Sequence, residues 1–368
     1  MKTPVVTITN FCLNHTGYFD WLVTGLGILH ERGEIRLRFR LPAAKTALRH
    51  RYFRWGAKAV APGWIAKVNG PMWWLEAEID FGGTVSRIVF DVTDHGYSYA
   101  ESLLETCDLY FKCQLPRTFP GPLQLNRQIE RPMPAAAIEH AGKVRTAMLG
   151  RPLSRALDFK RNIEILRKWE GHATAPKSKR ILAYFGGDSD PEAAGRLGDK
   201  PGLYQHPNLK RGRLVKFLRD LDRSDVDARL LNSSDPALVG PPLKDDDAYA
   251  ATVAASAYNL NVSGLSLSLP FRLIDSFMVG TAIVTDSLAI DWYAPFDREH
   301  EIIELGPMGY ELESDVDWAR AEARLVGLLD SGPAQDEERR ALILDRYRRL
   351  WSPEALAKHV MAEARRIA

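Results

Sequence analysis

Three cysteines are few for 368 residues, and Cys12, Cys107 and Cys113 make neither an even set nor a CxxC pair. That excludes a disulfide framework and leaves no thiolate spacing for zinc, so a reducing, cytoplasmic compartment is expected. Long apolar runs are missing too. No window reaches about 18 uninterrupted apolar residues, and the opening MKTPVVTITNFCLN alternates like a strand instead of supplying the apolar core of a signal peptide. An excess of one charge is also lacking: 49 Lys and Arg stand against 47 Asp and Glu. A net charge of +2, with no helix-turn-helix, zinc or RNA-binding motif, argues against a nucleic-acid partner. There is no internal repeat and no low-complexity block. Nor do the paired carboxylates Asp245 to Asp247 and Asp220 with Asp222 read as a metal site, since they look like charge at helix edges. No metal is expected.

What is present fits a globular chain with two cores: 45% of the residues are hydrophobic and 26% charged. At roughly 100 to 200 residues per domain the length predicts two domains, and the Pro- and Lys-containing stretch EGHATAPKSK (170–179) is the composition break between them. The first half opens as strand (4–9), loop (10–17) and helix (18–32). A half-buried strand (34–41) follows, with Arg36, Arg38 and Arg40 on its polar face. Two strands meet at Gly82 and Gly83. The second of them runs into DVTDHGYSY (91–99), and polar residues crowded after a strand are where an α/β half keeps its chemistry. Asp94 and His95 are the candidate general bases there; their plain alternative is a helix cap and a satisfied loop histidine. Lys112, closing the strand 109–112, is a candidate cation on the same side, with snorkelling to solvent as its alternative. His15, in the loop after the first strand, is grouped with it. Residues 114–150 show no period and read as connections.

Residues 49–58, RHRYFRWGAK, interleave Arg49, Arg51, Arg54 and Lys58 with Tyr52, Phe53 and Trp55. Such a stretch either lies on an anionic membrane surface or forms a basic helix whose rings face the core.

The second half opens with the strand 180–185 and the turn Gly186, Gly187, where backbone amides could approach a diphosphate or simply make a tight turn. A helix over 207–222 carries Lys210, Arg211 and Arg213 in its first turn, against the helix dipole. Either an anion binds there or the cations are solvated. Residues 257–296 then read as strand, Ser- and Gly-rich loop, helix from Pro270, Gly280 cap, and a second β-branched strand. Arg272 and Asp275 lie one turn apart at its start. They suit a phosphate and a ribose diol, or form an ordinary surface pair.

This stretch, with Phe271, Arg272, Leu273, Ile274, Asp275 and Ser276, then Gly280 to Asp286, then Pro295 and Phe296, resembles the carboxyl-terminal donor-binding region of GT-B glycosyltransferases, most closely the exostosin-like group. Ala282 stands where that group has Pro, and 276–279 replace its Ala-rich helix end. The resemblance implies two facing Rossmann-like domains, 1–172 on the acceptor side and 173–345 on the donor side, with 346–368 as a helix crossing back to the first domain. It implies transfer from a nucleotide sugar, itself a substrate, so that no cofactor is called for. The acceptor would be a hydroxyl of a glycan or lipid-linked glycan, as in bacterial surface polysaccharide synthesis, with a peripheral place at the inner membrane if 49–58 binds lipid. Arg272, Asp275, Ser268, Phe271, Gly186, Gly187, Lys210 and Arg211 fall on the donor side under that reading, and Lys112 and His15 on the acceptor side. A nucleotide-sugar epimerase and a catalytically silent subunit binding a glycan or partner are the rival readings.

Overall fold

The computed structural model describes residues 2–12, 16–42, 73–125, 130–154, 157–187, 207–264, 267–306, 314–332 and 334–368. The chain divides into two compact units, Met1–Leu115 with Met133–Leu166 and Arg348–Ala368, and Pro116–Pro132 with Arg167–Tyr347. His15 and the 49–58 stretch lie outside the described residues.

In the first unit β1 (Val5–Phe11) buries Val6, Ile8 and Phe11 at alternating positions, as a strand with one covered face must. Helix α1 (Thr16–Glu31) is apolar almost all round and is buried to match. Strand β2 (Arg36–Phe39) is the sheet edge, with Arg36 and Arg38 exposed. Strands β3 (Trp74–Asp80) and β4 (Val85–Asp91) form a hairpin whose turn needs the positive φ of Gly82 and Gly83, +96° and +145°. After α2 (Glu101–Thr106) comes β5 (Leu109–Lys112); the short ribbon β6 (Leu123–Gln124) and β7 (Glu130–Arg131) belongs to the second unit. Helix α3 (Ala135–Glu139) and strand β8 (Val144–Thr146) return to the first. The sheet order is β2-β1-β3-β4-β5-β8. A Rossmann-like half predicts only parallel neighbours, and this sheet departs from that at β3, which pairs antiparallel with both β1 and β4 because the glycine turn brings the chain straight back. Residues 114–150, expected to be connections, hold five elements of two to five residues among the described residues, too short to show a period.

The chain passes between units within α4 (Phe159–Gly171). The second unit alternates regularly: β9 (Lys179–Phe185), α5 (Pro207–Asp220), β10 (Val226–Leu230), α6 (Asp246–Ala254), β11 (Ser256–Leu260), α7 (Arg272–Met278), β12 (Ala282–Thr285) and β13 (Ile302–Glu304), then α8 (Asp315–Asp330) and α9 (Ala334–Arg346). All five strands are parallel in the order β10-β9-β11-β12-β13. The chain leaves β9 for one side and later reaches β11 on the other, so the carboxyl ends of β9 and β11 flank the switch point where open sheets of this kind bind ligands. Asp245 caps α6 through the Ala248 amide, and Ser314 with Asp317 makes a reciprocal capping box on α8. Gly280 takes φ +66° after α7, where a Cβ would come within 2.5 Å of Arg340 Cγ.

Helix α10 (Pro353–Ile367), capped by Ser352 with Pro353 in its first turn, packs on α1 in the first unit. No helix among the described residues is long and apolar enough to cross a membrane.

Candidate functional site

The second unit's switch point is built around Phe185, the last residue of β9. Arg272 at the start of α7 lies over its ring, 4.9 Å from the centroid, and Arg211 from the first turn of α5 lies 5.7 Å away. Two guanidiniums thus share one aromatic platform at a strand's carboxyl end. Arg211 also donates to Asn208 Oδ1 at 2.8 Å. Arg272 Nη1 is buried and has no hydrogen-bond partner among the described residues. A desolvated guanidinium N–H of that kind favours an oxyanion, because the lost hydration is replaced by a charge-assisted bond. Gly186 and Gly187 follow Phe185 directly. A side chain at Gly187 would meet Asn232 O at 2.6 Å, so this turn demands glycine on packing grounds alone.

Beside this platform lies a fully buried ion pair. Lys210 Nζ meets Asp286 Oδ2 at 2.5 Å, and both side chains are 0% exposed. Asp286 Oδ1 accepts from Ser263 N at 3.0 Å, Ser263 Oγ at 2.9 Å and Thr285 Oγ1 at 3.1 Å. Burial alone would raise the Asp286 pKa, but the Lys210 ammonium and the Ser263 donors hold it below the usual carboxylate range. The carboxylate therefore fixes the loop after β11 to the end of β12 and to α5. Along β11 and its extension Asn259, Asn261 and Ser263 alternate on one side: Asn259 donates to Ser276 Oγ at 2.9 Å and Asn261 to Thr285 Oγ1 at 3.1 Å. Further along, Gly264 N donates to Ser268 O at 2.8 Å, which closes the loop on itself.

The first unit holds a second polar cluster, at the carboxyl ends of β4 and β5. Asp91 and Lys112 are register partners on these strands, and their side chains meet at 2.8 Å with at most 1% exposure. Asp91 Oδ2 also accepts from Tyr110 Oη at 2.6 Å, and Oδ1 accepts from Thr93 N at 2.7 Å and Thr93 Oγ1 at 2.5 Å. Lys112 Nζ donates to Ser98 O at 2.8 Å and lies 5.2 Å from the Tyr99 ring centroid. Asp94 and His95 sit in the loop between these anchors. Asp94 is exposed and His95 half-buried, the latter ring tilted against Tyr97 at 5.4 Å. The protein mass round Asp94 raises its carboxyl pKa, against the His95 and Lys112 charges, which pull it down.

No family model matches the chain, and no curated protein matches it. Among solved structures, the crystal structure of the GtfA/B complex is similar at a TM-score of 0.28 and 9% identity, over 80% of this chain and 65% of that one. The chain thus spans less than two thirds of the length of that protein. No family is shown by this.

Of the residues expected on the donor side, Arg211 and Arg272 are brought together on Phe185, with Gly186 and Gly187 adjoining. Ser268, 6% exposed, lies in the loop before α7. Asp275 is 0% exposed, as are Ile274, Phe277 and Met278, because α7 is packed against α6, α9 and β12. That removes the surface-pair alternative for Arg272 and Asp275, and it leaves Asp275 no open face for a ribose diol either. Phe271, expected on the apolar face of that helix, is instead 37% exposed and precedes the helix proper. Lys210 is neither solvated nor open to a phosphate, since Asp286 occupies its ammonium. Lys112 does not reach solvent either: a strand-end lysine with a register-paired aspartate finds its counter-charge inside. Sequence reasoning missed Phe185, Asp286, Ser263 and Asp91. Asp286 carried a signal as the last residue of the Gly280 to Asp286 motif, and Asp91 as the first of the polar stretch 91–99.

Proposed function

We propose that the chain transfers a glycosyl group from a nucleoside-diphosphate sugar to a hydroxyl, with the donor held by the second unit and the acceptor proton taken by the first. The observation that carries this reading is the pair Arg211 and Arg272 on the Phe185 ring, at the carboxyl end of β9 where an all-parallel sheet changes direction. Two guanidiniums beside a glycine turn suit a diphosphate, because the planar fork of each can bond two phosphate oxygens at once. The exposed Phe271 ring, next to Arg272, offers a face for a nucleobase. The exostosin-like resemblance of residues 257–296 points the same way.

The acceptor oxygen attacks the anomeric carbon, and the bond from that carbon to the diphosphate breaks with its electron pair leaving on the phosphate oxygen. The guanidiniums oppose the charge that develops there. The acceptor proton passes to Asp94 or His95. A carboxylate with a raised pKa is the stronger proton acceptor, which suits Asp94 to the task. On this reading the acceptor is a glycan or lipid-linked glycan.

The test is direct. Purified protein is offered a panel of nucleotide sugars with hydroxyl acceptors, and transfer and donor hydrolysis are followed. Asp94→Ala or His95→Ala should lower turnover about 10²-fold with donor affinity unchanged. Absence of transfer, of hydrolysis and of calorimetric binding for every donor removes the reading.

A further inference from the structure

The loop that carries Asp94 and His95 is tied down at three places by side chains from the strands beneath it. Asp91 Oδ1 holds both the amide and the hydroxyl of Thr93, at 2.7 and 2.5 Å. Lys112 Nζ holds Ser98 O at 2.8 Å, and Tyr110 Oη accepts from Ala100 N at 3.0 Å. The three anchors are themselves joined, since Tyr110 Oη and Lys112 Nζ both bind Asp91 Oδ2, at 2.6 and 2.8 Å. Asp91, Tyr110 and Lys112 are all 0% exposed. Such a network costs desolvation that a pair of apolar residues would avoid, and it is satisfied only because each polar atom has a partner. A loop of eight residues between Thr93 and Ala100 needs no buried charge merely to connect a strand to a helix.

We propose that Asp91, Tyr110 and Lys112 are positioning residues for proton removal, holding the 93–100 loop so that Asp94 and His95 keep one fixed presentation. This rests on the glycosyl-transfer reading. Anchoring both ends of the loop and its Ser98 carbonyl holds in place the backbone that carries the Asp94 and His95 side chains. The charges that act on Asp94 are His95 in the same loop and Lys112 at the end of β5, itself paired with Asp91 at the end of β4. Burial and the Asp91 charge push the Tyr110 and Tyr99 hydroxyls far up, so both stay protonated, and Tyr110 acts as a donor to Asp91 throughout the working range. The Lys112 charge lowers the proton affinity of Asp94, so the network sets both where the base stands and when it is ionised.

The experiment compares Tyr110→Phe and Lys112→Met with wild type and with Asp94→Ala. Tyr110→Phe removes one anchor without changing charge or shape. It should lower kcat about tenfold, leave KM for the donor unchanged, and speed hydrogen exchange at the amides of residues 93–100. Lys112→Met should move the acid limb of the kcat/KM profile to higher pH, which a purely structural role would not do. Wild-type kcat and wild-type exchange in Tyr110→Phe would overturn the proposal, whether or not Lys112→Met folds. If Asp94→Ala and His95→Ala both keep wild-type turnover, the base assignment has failed. Accelerated loop exchange in Tyr110→Phe would then mark the network as a loop anchor with no reaction to serve, and the proposal would fall with the assignment.

Discussion

Among the described residues each unit buries one lysine-aspartate pair at the carboxyl ends of its parallel strands, and the two pairs are wired differently. Asp91 and Lys112 sit opposite each other on adjacent strands, so strand register alone brings them together. Their remaining hydrogen bonds run outward to the loop above. Lys210 and Asp286 come from a helix and the residue after a strand, 76 positions apart, and meet only if α5 docks correctly. The spare acceptor of Asp286 goes to Ser263, the first turn of the loop leading to α7. One pair therefore fixes a loop over a sheet that is already formed. The other makes helix docking and loop placement a single event.

The largest expected effect tests this contrast. Lys112→Met and Lys210→Met each strand a buried carboxylate, which costs roughly 3–5 kcal/mol of the stability of the unit concerned. Only Lys210→Met should also weaken nucleotide-sugar binding, because it frees the Ser263 to Ser268 loop. Denaturant titration followed by hydrogen exchange in each unit, with calorimetric binding, checks both parts. Equal loss of donor affinity in the two variants would break the comparison. Next in size, Arg272→Ala and Arg211→Ala should each weaken donor binding at least about tenfold, since a hydrogen bond to a charged group contributes about 1.5–3 kcal/mol. Asp94→Ala should leave binding alone, and unchanged titrations for both donor-side variants would remove the assignment of the second unit.

The smallest effect comes from a third lysine, which sharpens the contrast because it has no carboxylate partner among the described residues. Lys177 Nζ donates to Ala254 O and Thr281 Oγ1, at 2.9 and 2.8 Å. Burial, then the Arg340 charge, lower its pKa to about 7. The unfolded chain keeps the proton up to about 10.4, so between about 7 and 10 it binds a proton that the folded state does not. Stability contributed by this group therefore rises with pH through that window and is lost as pH falls towards 7. Lys177→Met should flatten the difference between urea midpoints measured at pH 7 and pH 9. An unchanged slope would show that Lys177 is charged in the folded protein.

The alternating second unit was legible because short apolar, β-branched runs bounded by Gly, Pro and Ser read as buried strands: the strands at 180–185 and 281–285 and the cap at Gly280 all stand where the pattern puts them. The hairpin at Gly82 and Gly83 was equally plain. What the pattern could not carry was any partnership across the chain. Lys210 looked like one of three first-turn cations, and nothing in its neighbourhood distinguished it from Arg211 until Asp286 was brought beside it. Phe185 read as the apolar end of a strand, with no sign that it would support two guanidiniums. Short elements such as Val144–Thr146 fell below the length at which a period exists.

The docking of α10 on α1 has a consequence for the order in which the protein comes into being. Residues 353–367 lie against a helix made more than 320 residues earlier: Trp21 Nε1 donates to Trp351 O at 3.0 Å, and a methyl group at Gly25 would collide with Pro353 O at 1.9 Å. During synthesis the first unit must wait, its α1 face uncovered, while the whole second unit emerges and has time to fold. A chain cut short before residue 353 would thus leave the α1 face without its cover, and an exposed Trp21 would be the mark of that state.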